Sequence, residues 1–231
     1  MELTKDFSKL EKKLGIKFKN RNLLIQAFCH RSFLNEKPDF PVGNNERLEF
    51  LGDAVLELIV TEYLYKNFKN PEGQMTGWRA AIVKASALAE AAKKIGFEEY
   101  LLLSKGEEKD TGKARQIILA NVFESFLGAL YLDQGYGKAK KFVEKNLLAS
   151  LPKIIMEGIW RDAKSHFQEA AQEKIKITPV YKVIKEWGPD HNKHFISGVF
   201  LGEELVAQGE GSSKQEAEEE AAKNALKVKN W

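Results

Sequence analysis

The sequence predicts an all-α N-terminal domain followed by a smaller α+β domain of order α-β-β-β-α. Three observations carry this. Up to about residue 155 the apolar residues recur at helical spacing. Beyond a short segment around Trp160 the spacing changes to that of strands, in three runs separated by Gly-containing turns. A helical run stands on each side of those strands, the second with a narrow stripe of Ala. The expected division is residues 1–157, a linker at 158–162, and 163–231.

In chain order, Leu10 to Ile16 and Leu23 to Phe33 read as two short helices around a Lys-rich turn, and Pro38 to Gly43 as a loop. A longer helix runs from Asn44-Asn45 to about Phe68. Either Asn can cap its start, and Glu46 and Glu49 suit the positive end of its dipole. Leu48, Leu51, Val55, Leu58 and Ile59 form its core stripe. Glu46, Glu49 and Asp53 fall within roughly 60° of one another on another face, and Glu57 continues that side as surface charge. On pattern alone this is an amphipathic helix with a solvated acidic face. Phe50 argues otherwise: it sits about 40° from Glu46, beside the acidic face, where a solvated helix would carry Lys or Gln. A covered surface, such as a partner subunit, explains it. Gly52 costs up to about 1 kcal/mol against Ala in a helix, so close approach of another element is expected there.

Asn70-Pro71-Glu72-Gly73 stops that helix. Thr76 is expected to cap the next, which carries Trp78, Ile82, Val83, Leu88 and Ala91 and ends at Gly96. Residues 101–115 read as a polar, mobile loop. A helix from about Ala114 has Leu119, Phe123, Phe126, Leu127 and Leu130 as its core stripe, while Asn121 and Glu124 share the other face with Gly128. Gly135 and Gly137 break it, and Phe142 to Ile155 reads as the last helix of the first domain. In the second domain, Ser165 to Lys174 is helical. Val180 to Trp187, His194 to Leu201 and Glu204 to Gly209 are strands, and Ser212 or Ser213 caps a helix whose Ala217, Ala221, Ala222 and Ala225 can lie close on a sheet.

No apolar run is long enough to span a bilayer, and the Lys- and Glu-rich start has no hydrophobic segment of a secretory leader. A soluble, cytoplasmic protein is expected. Cys29 is the one cysteine, so no intrachain disulfide can form. Among Leu23, Leu24, Ala27 and Phe28 it reads as a buried structural residue. The net charge is only +3. Residues 159–231 hold 11 Lys/Arg against 12 Asp/Glu, net −1, so any polyanion bound there must meet a local basic patch.

Asn45-Glu46-Arg47-Leu48-Glu49-Phe50-Leu51-Gly52-Asp53 closely resembles the signature of the ribonuclease III family. Residues Ile118 to Asp133 resemble its third motif and Glu72 to Thr76 its second acidic motif, although Glu72 is equally readable as a turn residue at a helix start. The helix-strand order after residue 163, the loop Gly188 to Lys193 and the run Gly209 to Lys214 resemble a double-stranded RNA-binding domain. Glu49 with Asp53, and Asn121 with Glu124, would form an oxygen-rich cage if brought face to face. Hard oxygen donors without Cys or His point to Mg²⁺, with Mn²⁺ as a possible substitute, and to phosphodiester hydrolysis.

The resemblance implies that these faces do meet. By position, Glu49, Asp53 and Glu124 match the family's metal-binding carboxylates, with Asp53 and Glu124 catalytic. Asn121 occupies the fourth metal position, where the family usually has Asp, so the site loses a charge. Glu46 and Glu72 match auxiliary acidic positions. Ser165 and Gln168 would meet 2′-hydroxyls in one minor groove, His191 with Lys193 nearby would reach the next, and Lys214 would hold phosphates between them. Gln215 and Glu216 stand where the family often has a further Lys, which predicts modest affinity. The resemblance also implies a homodimer through the first domain with Phe50 at the contact. It implies 5′-phosphate and 3′-hydroxyl ends with short 3′ overhangs, and substrates among ribosomal RNA precursors and some messages. The rival expectation, favoured by Asn121, is a double-stranded RNA binder that does not cleave.

Overall fold

A computed structural model describes residues 5–158, 163–189 and 193–231. The chain divides into two compact units, residues 1–157 and 158–231.

The first unit is helical: α1 (Phe7–Leu14), α2 (Arg21–Ala27), α3 (Arg31–Glu36), α4 (Glu46–Asn67), α5 (Glu72–Val83), α6 (Ala85–Ile95), α7 (Lys113–Gln134), α8 (Tyr136–Asn146) and α9 (Leu151–Met156), with short 3₁₀ turns between some of them. Its centre is the crossing of α4 and α7, each 22 residues long. Leu119, Phe123, Phe126, Leu127 and Leu130 are fully buried, as their spacing predicts. Phe126 anchors an aromatic cluster with Phe28, Phe97 and Phe142 at ring distances of 4.9 to 6.2 Å.

Several expected boundaries differ. The expected helix Leu23 to Phe33 is two helices, because Phe28 and Cys29 turn out of helix and pair with the backbone of Leu102. His30 then caps α3, its ring accepting from the Ser32 N–H. Cys29 is buried, and burial pushes its thiol up to about 12. Thr76 is not a cap but lies inside α5, which begins at Glu72 directly after Pro71. The helix expected to reach Gly96 is broken at Lys84, whose extended backbone (ψ 145°) separates α5 from α6. Gly135 ends α7, whereas Gly137 lies within α8. Residues 101–115 contain a 3₁₀ turn organised by the buried Arg115, which donates to the carbonyls of Glu107, Glu108 and Asp110. Leu58 is not in the core: it is 58% exposed, on the same side of α4 as the exposed Phe50, Ala54 and Tyr65.

The second unit is α10 (Ala163–Ile175), β1 (Val180–Trp187), β2 (His194–Leu201), β3 (Glu204–Gly211) and α11 (Lys214–Lys229). The strands form one antiparallel sheet in the order β1-β2-β3, with Trp187 opposite His194 and Leu201 opposite Glu204. Phe167 and Ala171 of α10, Val199 and Leu201 of β2, and Ala221, Ala222 and Ala225 of α11 fill its core. Gly209 of β3 lets α11 approach closely, since a Cβ there would run into the backbone of Ala217 and Ala221. Ser213 caps α11 by accepting from the Glu216 N–H at 3.1 Å, and the Glu216 carboxylate accepts from the Ser212 N–H at 3.0 Å. Glu216 therefore serves this reciprocal cap.

Candidate active site

Two glycines bring the acidic faces of α4 and α7 together. A Cβ on Gly52 would lie well inside contact distance of the Glu124 carbonyl, and one on Gly128 would overlap the Leu48 carbonyl. The helices thus meet backbone to backbone, which brings Glu49 and Asp53 within electrostatic reach of Asn121 and Glu124.

A second set of contacts fixes the start of α4. The Asn45 side chain is buried and donates to the Ala27 carbonyl at 3.4 Å. The buried Ser125 hydroxyl donates to the same oxygen at 2.6 Å. One carbonyl at the end of α2 therefore ties the first turn of α4 to the middle of α7. Of the two Asn residues expected to cap α4, Asn44 does so, accepting from the Glu46 N–H at 3.4 Å, while the Asn45 side chain makes no capping bond. Ser125 carried one signal in the sequence: it is a polar residue on the buried side of α7, next to Glu124.

The electrostatics follow from this packing. Glu124 is half-buried, and desolvation, followed by the charges of Asp53 and Glu49, pushes its carboxyl up to about 8. Glu49 is raised mainly by burial and then by Glu46, while a hydrogen bond from Asn121 opposes the rise. Glu49, Asp53, Asn121 and Glu124 therefore form one coupled group, with Glu46 at its edge. Glu46 is exposed, 3.7 Å from Arg31.

Three carboxylates and one amide carbonyl are hard oxygen donors, and this set fits a hard divalent cation such as Mg²⁺ or Mn²⁺. Charge repulsion within this partly buried group is a cost that such a cation would remove. Among the described residues, no three acidic, His or Cys side chains are already drawn into a preformed cage.

Glu72 stands apart from this group. It opens α5 and lines a cavity of about 200 Å³ with Tyr65, Met75 and Arg79. Glu57, read as surface charge, pairs with Arg79 at 3.0 Å. Phe50 is 82% exposed.

In the second unit, Ser165 and Gln168 are exposed on one side of α10. Lys193 is 3.8 Å from Glu186. Lys214 is exposed at the start of α11, its ammonium 5.9 Å from the Phe195 ring centroid. His191 lies outside the described residues.

Comparison with known proteins divides the chain at similar places. The family model described as "Ribonuclease-III-like" matches residues 20–151, and that described as "Double-stranded RNA binding motif" matches residues 163–229. The chain is 48% identical to Ribonuclease 3 of Enterococcus faecalis, over 95% of this chain and 96% of the relative. It is 44% identical to Ribonuclease 3 of Borreliella burgdorferi, over 98% and 93%. The solved nuclease domain of ribonuclease III from Campylobacter jejuni matches with a TM-score of 0.55 at 41% identity, covering 61% of this chain and 98% of that one. Among the described residues no helix is long and apolar enough to cross a membrane.

Proposed function

The chain belongs to the ribonuclease III family of double-stranded-RNA endoribonucleases, and on that premise we propose that it cleaves duplex RNA at the shared acidic face of α4 and α7. The observation that carries this is the close crossing at Gly52 and Gly128, which sets Glu124 beside Asp53 and Glu49, where burial and their charges push its carboxyl up to about 8. Like charges crowded around a half-buried carboxyl are costly in a purely structural helix pair.

Glu49, Asp53, Glu124 and the carbonyl oxygen of Asn121 are the residues that would hold Mg²⁺ or Mn²⁺. Such an ion, when bound, supplies positive charge against the scissile phosphate and makes a water more acidic. The chain's own groups prepare the site. Asn121 steadies Glu49, and the glycine crossing holds Glu124 opposite Asp53. Glu124, at about 8, can keep a proton on its carboxylate oxygen at neutral pH and release it as positive charge approaches. Glu46 and Glu72 are auxiliary acidic residues in this reading.

RNA is held by the second unit through duplex shape, with Ser165 and Gln168 toward one minor groove, His191 and Lys193 toward the next, and Lys214 on phosphates. The active form is a homodimer, with Phe50 buried on the partner. The exposed apolar side of α4, Phe50 with Leu58 and Tyr65, supports this, as does the Campylobacter jejuni domain, whose description names a region involved in dimer formation. The products carry 5′-phosphate and 3′-hydroxyl ends with short 3′ overhangs, and the substrates are ribosomal RNA precursors and some messages in the cytoplasm.

Long duplex RNA incubated with the protein and Mg²⁺, with product ends analysed, tests the reading. Discrete short duplexes with those ends are expected. Stable binding without scission under any Mg²⁺ or Mn²⁺ concentration would favour the rival, a binder that does not cleave, for which Asn121 is the motivating residue.

A further inference from the structure

A cavity of about 690 Å³ opens in the first unit between the ends of α1 and α6 and the length of α8. It shares no residue with the acidic face. Six lysines line it, Lys13, Lys94, Lys138, Lys141, Lys145 and Lys153, and no carboxylate does. Its floor is apolar, formed by Leu14, Ile16, Ile95 and Phe142, and two polar side chains, Asn146 and Ser150, stand at its edge.

Part of the lysine excess has an ordinary cause. Lys13, Lys94 and Lys145 stand in the last turns of α1, α6 and α8, where a cation offsets the negative end of the dipole. Lys94 also pairs with Glu90 at 2.7 Å, and Lys153 lies 4.0 Å from Glu157. Neither cause covers Lys138 and Lys141. Lys138 is in the first turn of α8, the positive end of the helix, which has no acidic residue to offset it. Lys138, Lys141 and Lys145, at i, i+3 and i+7, share one side of the helix, so their charges repel one another across the cavity mouth.

We propose that this cavity is a binding site for a small amphipathic polyanion of the nucleoside polyphosphate class. The ligand's phosphates would meet Lys138, Lys141 and Lys145, and its flat body would cover the Leu14, Ile95 and Phe142 floor. The volume is that of a small-ligand pocket. Lysines act as movable point charges, which suits a flexible phosphate chain. An RNA duplex is too wide to enter the cavity, and its backbone offers nothing to an apolar floor.

Titration calorimetry of the full chain in EDTA, with ATP and separately with inorganic tripolyphosphate, tests the assignment. The expected result is one saturable ATP site per chain, with tripolyphosphate weaker by about fivefold or more because it lacks the body that covers the floor. Lys138→Glu with Lys141→Glu should weaken ATP by at least about tenfold, and the milder Lys138→Ala with Lys141→Ala should weaken it in the same direction with the fold checked by circular dichroism. Lys214→Ala should leave it unchanged. The assignment is overturned by absence of saturable binding at millimolar ATP. Binding lost in Lys214→Ala but kept in the α8 variants also overturns it, as does a Glu- and Leu-rich peptide that displaces ATP and binds more tightly than it.

Discussion

Across the α4–α7 crossing the Asn121 side-chain amide favours the charged form of the Glu49 carboxyl, against the burial that raises it. An Asp at this position would offer Glu49 no N–H and would add a fourth negative charge to the group. Asn121 therefore eases the repulsion of the cation-free site and weakens its hold on a cation. Asn121→Asp should lower the Mg²⁺ concentration giving half-maximal cleavage by about tenfold and raise the rate most at low Mg²⁺. Cleavage rate against Mg²⁺ at fixed RNA checks this. Identical midpoints for the two proteins would remove residue 121 from the proposed cation site.

The pH response of the metal-free chain follows from Glu124. Its folded value of about 8 lies above its ordinary 4.5. Between those values the folded chain keeps a proton that the unfolded chain releases. Stability in EDTA should therefore be greatest toward pH 4.5, fall as pH rises through this window, and level off above about 8. Glu124→Gln stays uncharged, so it should flatten this fall and be more stable near pH 8 by about 1–3 kcal/mol. It should also nearly abolish cleavage while leaving RNA binding intact. Urea melts across pH in EDTA give the comparison, and equal slopes for the two proteins would contradict it.

Gly52→Ala tests the crossing. The added methyl would overlap the Glu124 carbonyl, so the helices must separate. A loss of about 3 kcal/mol or more is expected, with cleavage lost even where the chain remains folded. Ala54→Gly, on the exposed side of the same helix, should cost only about 1 kcal/mol. Similar melting curves for the two variants would mean that the crossing is not tight.

Phe50→Glu should weaken the proposed dimer without unfolding the subunit, because Phe50 is already 82% exposed in one copy. Burying an unpaired charge on the partner would cost several-fold to many-fold in association. Sedimentation velocity at micromolar concentration reads this directly, and an unmodified chain that is monomeric there would rule the dimer out.

Lys214→Ala should weaken binding to all RNA duplexes about equally and reduce the salt slope by roughly one charge contact. Mobility shifts at several salt concentrations provide the measurement. A loss confined to particular sequences would contradict recognition by shape.

The carboxylates were legible in the sequence because Glu49 and Asp53, like Asn121 and Glu124, sit at spacings that a helix places on one side. The Ala stripe of α11 and the α-β-β-β-α succession were legible for the same reason: local period determines local structure. The close approach at Gly52 was legible too, but the meeting of the two acidic faces was not legible from local spacing. It depends on Gly52 and Gly128 finding each other across 75 residues of chain, and no local period records such a pairing. Leu58 misled because an apolar residue beside a core stripe has the same spacing whether it meets its own subunit or is left exposed. Spacing did not choose between Asn44 and Asn45 as the cap of α4, because a cap and a buried tether both call for an Asn at a helix start. The break at Phe28 and Cys29 escaped because their partner, Leu102, is distant in sequence.

Since α4 and α7 touch through main chain at Gly52 and Gly128, the width of the acidic cleft is a property of peptide geometry. The Phe123 and Phe126 side chains elsewhere on α7 can be enlarged or trimmed to alter how firmly the subunit folds, yet they do not act as spacers between the carboxylates. The aromatic cluster therefore adjusts thermal robustness without setting cleft width, whereas the glycines bear on both. Variants selected for heat resistance at the aromatic cluster should keep their ion preference, whereas ion preference should shift only when the glycine gauge or the carboxylates themselves are changed.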